Sequence, residues 1–194
     1  MQIKERFIDK SLDPNFKWFC EPERWSIDNE QLTISTDAET DFWQKTHYGF
    51  QVDNGHFLYA ELSQDFVIET EVRSNFVNQY DQAGLMIRVS EDCWMKTAIE
   101  YEPDESNKLG AVVTNQGYSD WSTQDVDDSL TKVKFKVIRK GSDYILQCFD
   151  QKRMEWSQLR MFHLNDSSKV MAGIYCCSPK SAGFSAQFSY LTID

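Results

Sequence analysis

The feature that most constrains this chain is a pair of period-two runs, Gln82–Ser90 and Cys93–Glu102, separated only by Glu91 and Asp92. In the first run Leu85, Ile87 and Val89 alternate with Gly84, Met86 and Arg88. In the second, Met95, Thr97, Ile99 and Tyr101 alternate with Trp94, Lys96, Ala98 and Glu100. Alternation of this kind marks β-strands, whose successive side chains point to opposite faces. A slip of one residue would carry every side chain to the wrong face, so the pairing that joins the two apolar rows is strongly preferred. That register puts Gln82, Arg88, Trp94, Lys96 and Glu100 together on the opposite face.

The same period recurs along the chain. Leu32–Ile34, Phe57–Leu62, Phe66–Val72, Tyr144–Cys148, Val170–Cys176 and Phe184–Ile193 all carry it, and Val133, Phe135 and Val137 alternate with Lys132, Lys134 and Lys136 turned to water. Asp53-Asn54-Gly55, Arg139–Asp143, Asp150–Lys152 and Ser178–Lys180 supply turn residues between runs. No stretch holds a 3.6-residue stripe, and the one candidate helical turn, Leu12–Phe16, contains Pro14. The expected fold is all-β, a two-sheet antiparallel β-sandwich with little or no helix. With no linker-like segment and no repeat, residues 1–194 are expected to form a single domain.

Acidic residues outnumber basic ones, giving a formal net charge of −11. Such a surface repels nucleic acid and anionic membranes, which need clustered Lys and Arg. The first ten residues lack the apolar core of a signal peptide and no later stretch could span a bilayer, so a cytoplasmic location is expected. The five cysteines (Cys20, Cys93, Cys148, Cys176 and Cys177) form no C-x-x-C pair and read as reduced thiols.

Several blocks carry a family likeness: Asp41–Thr46 with Tyr48-Gly49, Tyr80–Arg88, Trp94–Glu102, Val112–Thr114 with Ser119–Ser122, Trp156 with Arg160, Ala172–Tyr175 and Ser178-Pro179. Together they resemble the "regulation of enolase" family, a domain of unknown function. The resemblance implies a concanavalin A-like jelly roll of the lectin and glucanase kind. Its name implies a regulatory association, and it implies no catalytic set.

The polar face is the leading candidate site. Lys96 and Glu100 stand roughly 13 Å apart along one strand, suited to gripping opposite ends of a small polar ligand. Trp94 offers a ring for stacking, and Arg88 and Gln82 add donors from the neighbouring strand. Asp120 and Trp121, in a loop-like stretch rich in Ser, Gln and Asp, and Trp43 beside Asp41 repeat a ring-plus-carboxylate pattern that suits sugars. The competing explanation is an outer sheet face with cross-strand charge pairs. Glu69/Glu71 and Glu100/Glu102 place two carboxylates on one strand face, but neither sits in the E-x-D-x-x-E arrangement of hydrolases with this kind of fold. His47, His56 and His163 are isolated, and Asp125, Asp127 and Asp128 read as a solvated acidic loop, so no metal or cofactor is assigned.

The chain is therefore expected to be a non-catalytic binding module for a small polar ligand, a carbohydrate being the leading class. Recognition falls to Gln82, Arg88, Trp94, Lys96 and Glu100, with Trp43, Asp120 and Trp121 at the rim. The alternatives are a protein-interaction regulator, and a glycan-active enzyme using Glu100 with Glu102 or Asp120.

Overall fold

A computed structural model describes residues 2–165 and 167–194. Among the described residues there are seventeen strands and no helix. In chain order they are β1 (Ile3–Glu5), β2 (Lys17–Phe19), β3 (Arg24–Asp28), β4 (Gln31–Ser35), β5 (Phe42–Gln44), β6 (Gln51–Asp53), β7 (His56–Leu62), β8 (Phe66–Asn75) and β9 (Gln82–Ser90). There follow β10 (Cys93–Glu100), β11 (Asn107–Asn115), β12 (Tyr118–Val126), β13 (Lys132–Lys140), β14 (Asp143–Asp150), β15 (Glu155–His163), β16 (Val170–Cys177) and β17 (Ser185–Ile193). The Leu12–Phe16 stretch is a turn closed by Phe16 N–H donating to the Asp13 carbonyl. No helix of the described residues is long and apolar enough to cross a membrane.

The strands form two large antiparallel sheets. One has eight strands in the order β15-β14-β13-β8-β17-β4-β3, with β1 also on β17; the other has seven in the order β12-β11-β10-β9-β16-β7-β2. Between them lies the main core, filled by residues such as Leu32, Ile34, Leu85, Ile87, Met95, Ile99, Phe135, Val137 and Phe188. This is the all-β sandwich that the periodicity implies.

The β9–β10 register is the one selected by the apolar rows: Arg88 lies opposite Trp94, Met86 opposite Lys96 and Gln82 opposite Glu100. The second strand stops at Glu100, two residues before the end of its alternating run. The face opposite the main core is not open. The β5–β6 hairpin, a third and separate two-stranded unit, lies over it and encloses a second apolar cluster of Phe42, Trp43, Phe57, Met86, Trp94, Ala98, Val112, Tyr175 and Cys177. Adjacent Cys176 and Cys177 accordingly belong to different cores, as alternation requires. Gly55, just after the hairpin, lets Phe42 lie close, for a Cβ there would fall 2.3 Å from its ring.

Candidate functional site

The register builds the site as rows crossing the seven-stranded sheet. One row runs Asp125, Lys108, Glu100, Gln82 and Cys177; another, two rows along the same face, runs Trp121, Val112, Lys96, Met86 and Gly173. Between them Gly110 faces Ala98, two small residues that leave a trough in the sheet surface. Above the trough is a cavity of about 240 Å³, with Lys96, Glu100, Gln82 and Val112 at its base and Trp43, Tyr48, Phe50, Tyr80 and Trp121 as aromatic walls. Asp41 and Lys180 complete the lining.

The base holds two polar sets, an ion pair and a group of hydrogen bonds centred on Gln82. Lys96 Nζ donates to Asp41 Oδ1 at 2.7 Å, and the lysine side chain is only 4 % exposed. Gln82 Nε2 donates to Glu100 Oε2 at 3.0 Å and to the Tyr80 carbonyl at 3.1 Å, while Tyr175 O–H donates to Gln82 Oε1 at 3.1 Å. Burial pushes the Glu100 carboxyl from its ordinary 4.5 to about 8; Lys96 opposes the shift, while Asp41 and Glu102 add to it. Burial disfavours the Lys96 ammonium most strongly, but Asp41, with Cys177 and Glu100, outweighs it and holds the lysine above its ordinary range. At neutral pH the base therefore carries a paired ammonium and carboxylate beside a carboxyl that retains its proton.

The expected site residues separate into three groups. Lys96, Glu100, Gln82, Trp43 and Trp121 meet around the cavity. Trp94 and Arg88 share that sheet face but not the cavity. Trp94 is fully buried in the second core, its indole N–H donating to the Glu91 carbonyl. Arg88 makes a bidentate pair with Asp53 at 2.6 and 2.7 Å beneath the Phe19 ring, which fastens β6 to the sheet. Both are absorbed by the hairpin roof, a long-range element that local alternation does not reveal. Asp120 stands at the outer rim, 2.7 Å from Arg160. The stretch around Asp120 and Trp121, expected to be loop-like, is instead β12, the edge strand of its sheet. Its polar composition reflects an edge that has little to bury.

The cavity also contains residues that the sequence did not single out as site members: Asp41, Tyr48, Phe50, Tyr80 and Lys180. Asp41 had a local signal, its place beside Trp43; Lys180 had none. The remaining carboxylates are occupied elsewhere: Glu102 accepts from Gln79, and Glu69 and Glu71 pair with Lys136 and Lys132. Asp125 pairs with Lys108, Asp127 accepts from Ser129, and Asp128 accepts from the Asn107 N–H. Among the described residues no group of three or more His, Cys, Asp or Glu side chains is placed to hold a metal.

This architecture is a concanavalin A-like β-sandwich with a hairpin closed over one sheet. The chain belongs to the family described as "Protein of unknown function (DUF1349)", which it matches over residues 18–194. It is 34% identical over 173 residues to "Regulation of enolase protein 1" of Saccharomyces cerevisiae, a match covering 89% of this chain and 85% of that protein. The crystal structure of a functionally unknown protein from Saccharomyces cerevisiae is similar with a TM-score of 0.86 at 30% identity, over 93% of this chain and 96% of that one. Bacteroides ovatus Xyloglucan PUL GH43B is similar at a TM-score of 0.78 and 13% identity; the match takes in 98% of this chain but 38% of that one, and it shows the fold alone.

Proposed function

We propose that the chain, acting as a single sandwich unit, is a non-catalytic binding and regulatory module whose roofed cavity takes a small hydroxylated ligand, a carbohydrate unit being the chemistry that fits. The observation that carries this is the juxtaposition of a fixed polar base, Lys96–Asp41 and Gln82–Glu100, with walls of Trp43, Tyr48 and Trp121. A sugar ring presents apolar C–H faces to aromatic rings and hydroxyls to groups that both donate and accept. Lys96 donates, Asp41 accepts, and a protonated Glu100 does both. The chain's charge of −11 argues against nucleic acid and other polyanions. Five cysteines free of disulfides suit a reducing compartment such as the cytosol.

Calorimetric titration with neutral mono- and disaccharides tests this reading. Saturable binding, lost in Lys96→Met and Glu100→Ala variants that still melt cooperatively, is expected. No binding across the panel, or binding indifferent to both substitutions, would remove the cavity from consideration.

A second reading, protein regulation, is favoured by the name of the Saccharomyces cerevisiae relative. It predicts that mixing the purified chain with enolase yields a stoichiometric complex or a change in enolase rate. Sedimentation and an activity assay that both show nothing would count against it.

A further inference from the structure

A second space adjoins the first. A cleft of about 880 Å³ lies between the end of the β5–β6 hairpin, the edge strand β12 and the edge strand β15 of the opposite sheet. Trp43, Tyr48 and Trp121 line this cleft and the roofed cavity alike. The inner space, about 240 Å³, is below the roughly 300–1,000 Å³ that encloses a drug-sized ligand, whereas the outer one falls within that range. One small unit fills the inner space and further units have room outside.

We infer that the outer cleft is a further subsite, and that the two spaces together hold a linear neutral oligosaccharide, one terminal unit beneath the hairpin and later units against β12. This rests on the small-ligand reading above and extends it from a single unit to a chain. The wall common to both spaces consists of three aromatic side chains, so ring stacking rather than strand addition governs the passage. Beyond that wall Tyr118 is 61 % exposed; the Lys45 ammonium stands 5.2 Å from its ring centroid, and the rest of the exposed ring offers a platform for a second unit. Asp120 and Arg160, both lining the cleft, pair at 2.7 Å and offset each other, so an ionic chain finds no unpaired charge in either of them. Three quarters of the Asp120 side chain is still exposed, with lone pairs open to hydroxyls. The overall charge of −11 further disfavours acidic glycans.

A length series checks this. Gluco-, manno- and xylo-oligosaccharides of increasing length, each beginning with the free monosaccharide, are titrated calorimetrically into the wild type, Tyr118→Ala and Glu100→Ala. For the series whose single unit binds, affinity is expected to rise roughly tenfold by the third unit, equivalent to about 1.4 kcal/mol. Tyr118→Ala should remove most of that gain and leave the single-unit affinity within about twofold, whereas Glu100→Ala should weaken every member. If the single unit binds and length adds nothing, or if the gain survives Tyr118→Ala combined with His163→Ala, His163 being a lining residue of the cleft on the β15 side, the outer subsite is overturned and the inner site stands. If no member binds, both fall together. Displacement of a bound trimer by an extended peptide would assign the cleft to strand addition instead.

Discussion

The open face of the eight-stranded sheet and the roofed face of the seven-stranded sheet carry the same kind of residues, lysines and carboxylates, with opposite physical consequences. On the open face Lys132 and Glu71 meet at 2.7 Å and Lys136 and Glu69 at 3.2 Å, with the Lys132 side chain 41 % exposed. On the roofed face Lys96 and Asp41 also meet at 2.7 Å, but the lysine is nearly sealed from water. Equal distance does not mean equal energy. An exposed pair exchanges water for a partner at little net gain, typically about 0–1 kcal/mol. The Lys96 ammonium, 4 % exposed, has lost its water, and removing its partner strands it. The difference comes from the hairpin.

The largest expected effect follows from that contrast. Asp41→Ala leaves the Lys96 ammonium buried without its counter-ion and should cost about 3–5 kcal/mol in urea denaturation at neutral pH. Lys132→Ala, which removes the exposed member of its pair and leaves Glu71 with Lys134 and the Ser189 hydroxyl, should cost about 1 kcal/mol or less. Equal losses would mean that the roof does not exclude water from the Lys96 row.

Proton linkage sharpens the comparison. The folded pKa of Glu100, about 8, lies above its ordinary 4.5, so between those values the folded chain holds a proton that the unfolded chain has released. Stability from this group is whole below about pH 4.5 and is lost as pH rises through about 8. Glu100→Gln copies the protonated carboxyl and carries no such loss. The variant should match the wild type near pH 4.5 and exceed it by on the order of a few kcal/mol at pH 9. Asp81, also raised by burial, is present in both chains and cancels in the difference. A wild-type-to-variant difference that does not change with pH would place Glu100 in contact with water.

The open face was fully legible in the sequence and the roofed face only in part. Lys132, Lys134 and Lys136 alternate with Val133, Phe135 and Val137, and alternation alone tells which side meets water when nothing covers the sheet. The same logic correctly placed Gln82, Lys96 and Glu100 on one face, because register is a local property of β9 and β10. It could not tell that Trp94 and Arg88 would be covered. Their cover comes from Phe42 and Asp53, more than thirty residues away, on a hairpin with only three residues in each strand. Short strands give almost no periodic signal. Lys180 lies farther still from the other lining residues in sequence, and only the completed fold carries it to the cavity.

Arg88 tests how the roof is held. Its guanidinium grips Asp53 through two parallel hydrogen bonds and lies 4.7 Å from the Phe19 ring centroid. Lysine keeps the charge but cannot reproduce the fork or the planar stacking. Arg88→Lys should cost about 1–3 kcal/mol and speed amide exchange in residues 42–53 ahead of the β9 and β10 interior. Arg153, in the turn between β14 and β15 beside Asp150 and Glu155 and 73 % exposed, should tolerate the same replacement with no change in exchange. If the hairpin amides of Arg88→Lys exchange at wild-type rates, the roof is held by its apolar cluster and not by the ion pair.

Trp121 should show the smallest effect on stability and the clearest effect on binding. It is 38 % exposed on the edge strand, so truncation removes few core contacts. Trp121→Ala should change unfolding free energy by about 0.5 kcal/mol or less. Trp94, two strands inward and fully buried, should lose about 3–5 kcal/mol on the same substitution. The two tryptophans thus divide what the sequence offered as one set of stacking rings: one holds the roof's core together and the other faces the space beneath and beside the roof. A Trp121→Ala chain that melts like the wild type yet no longer takes up saccharide would separate binding from folding at a single side chain. A large loss of stability there would mean that the aromatic wall is part of the second core, and that the cavity owes its shape to packing that no ligand needs to complete.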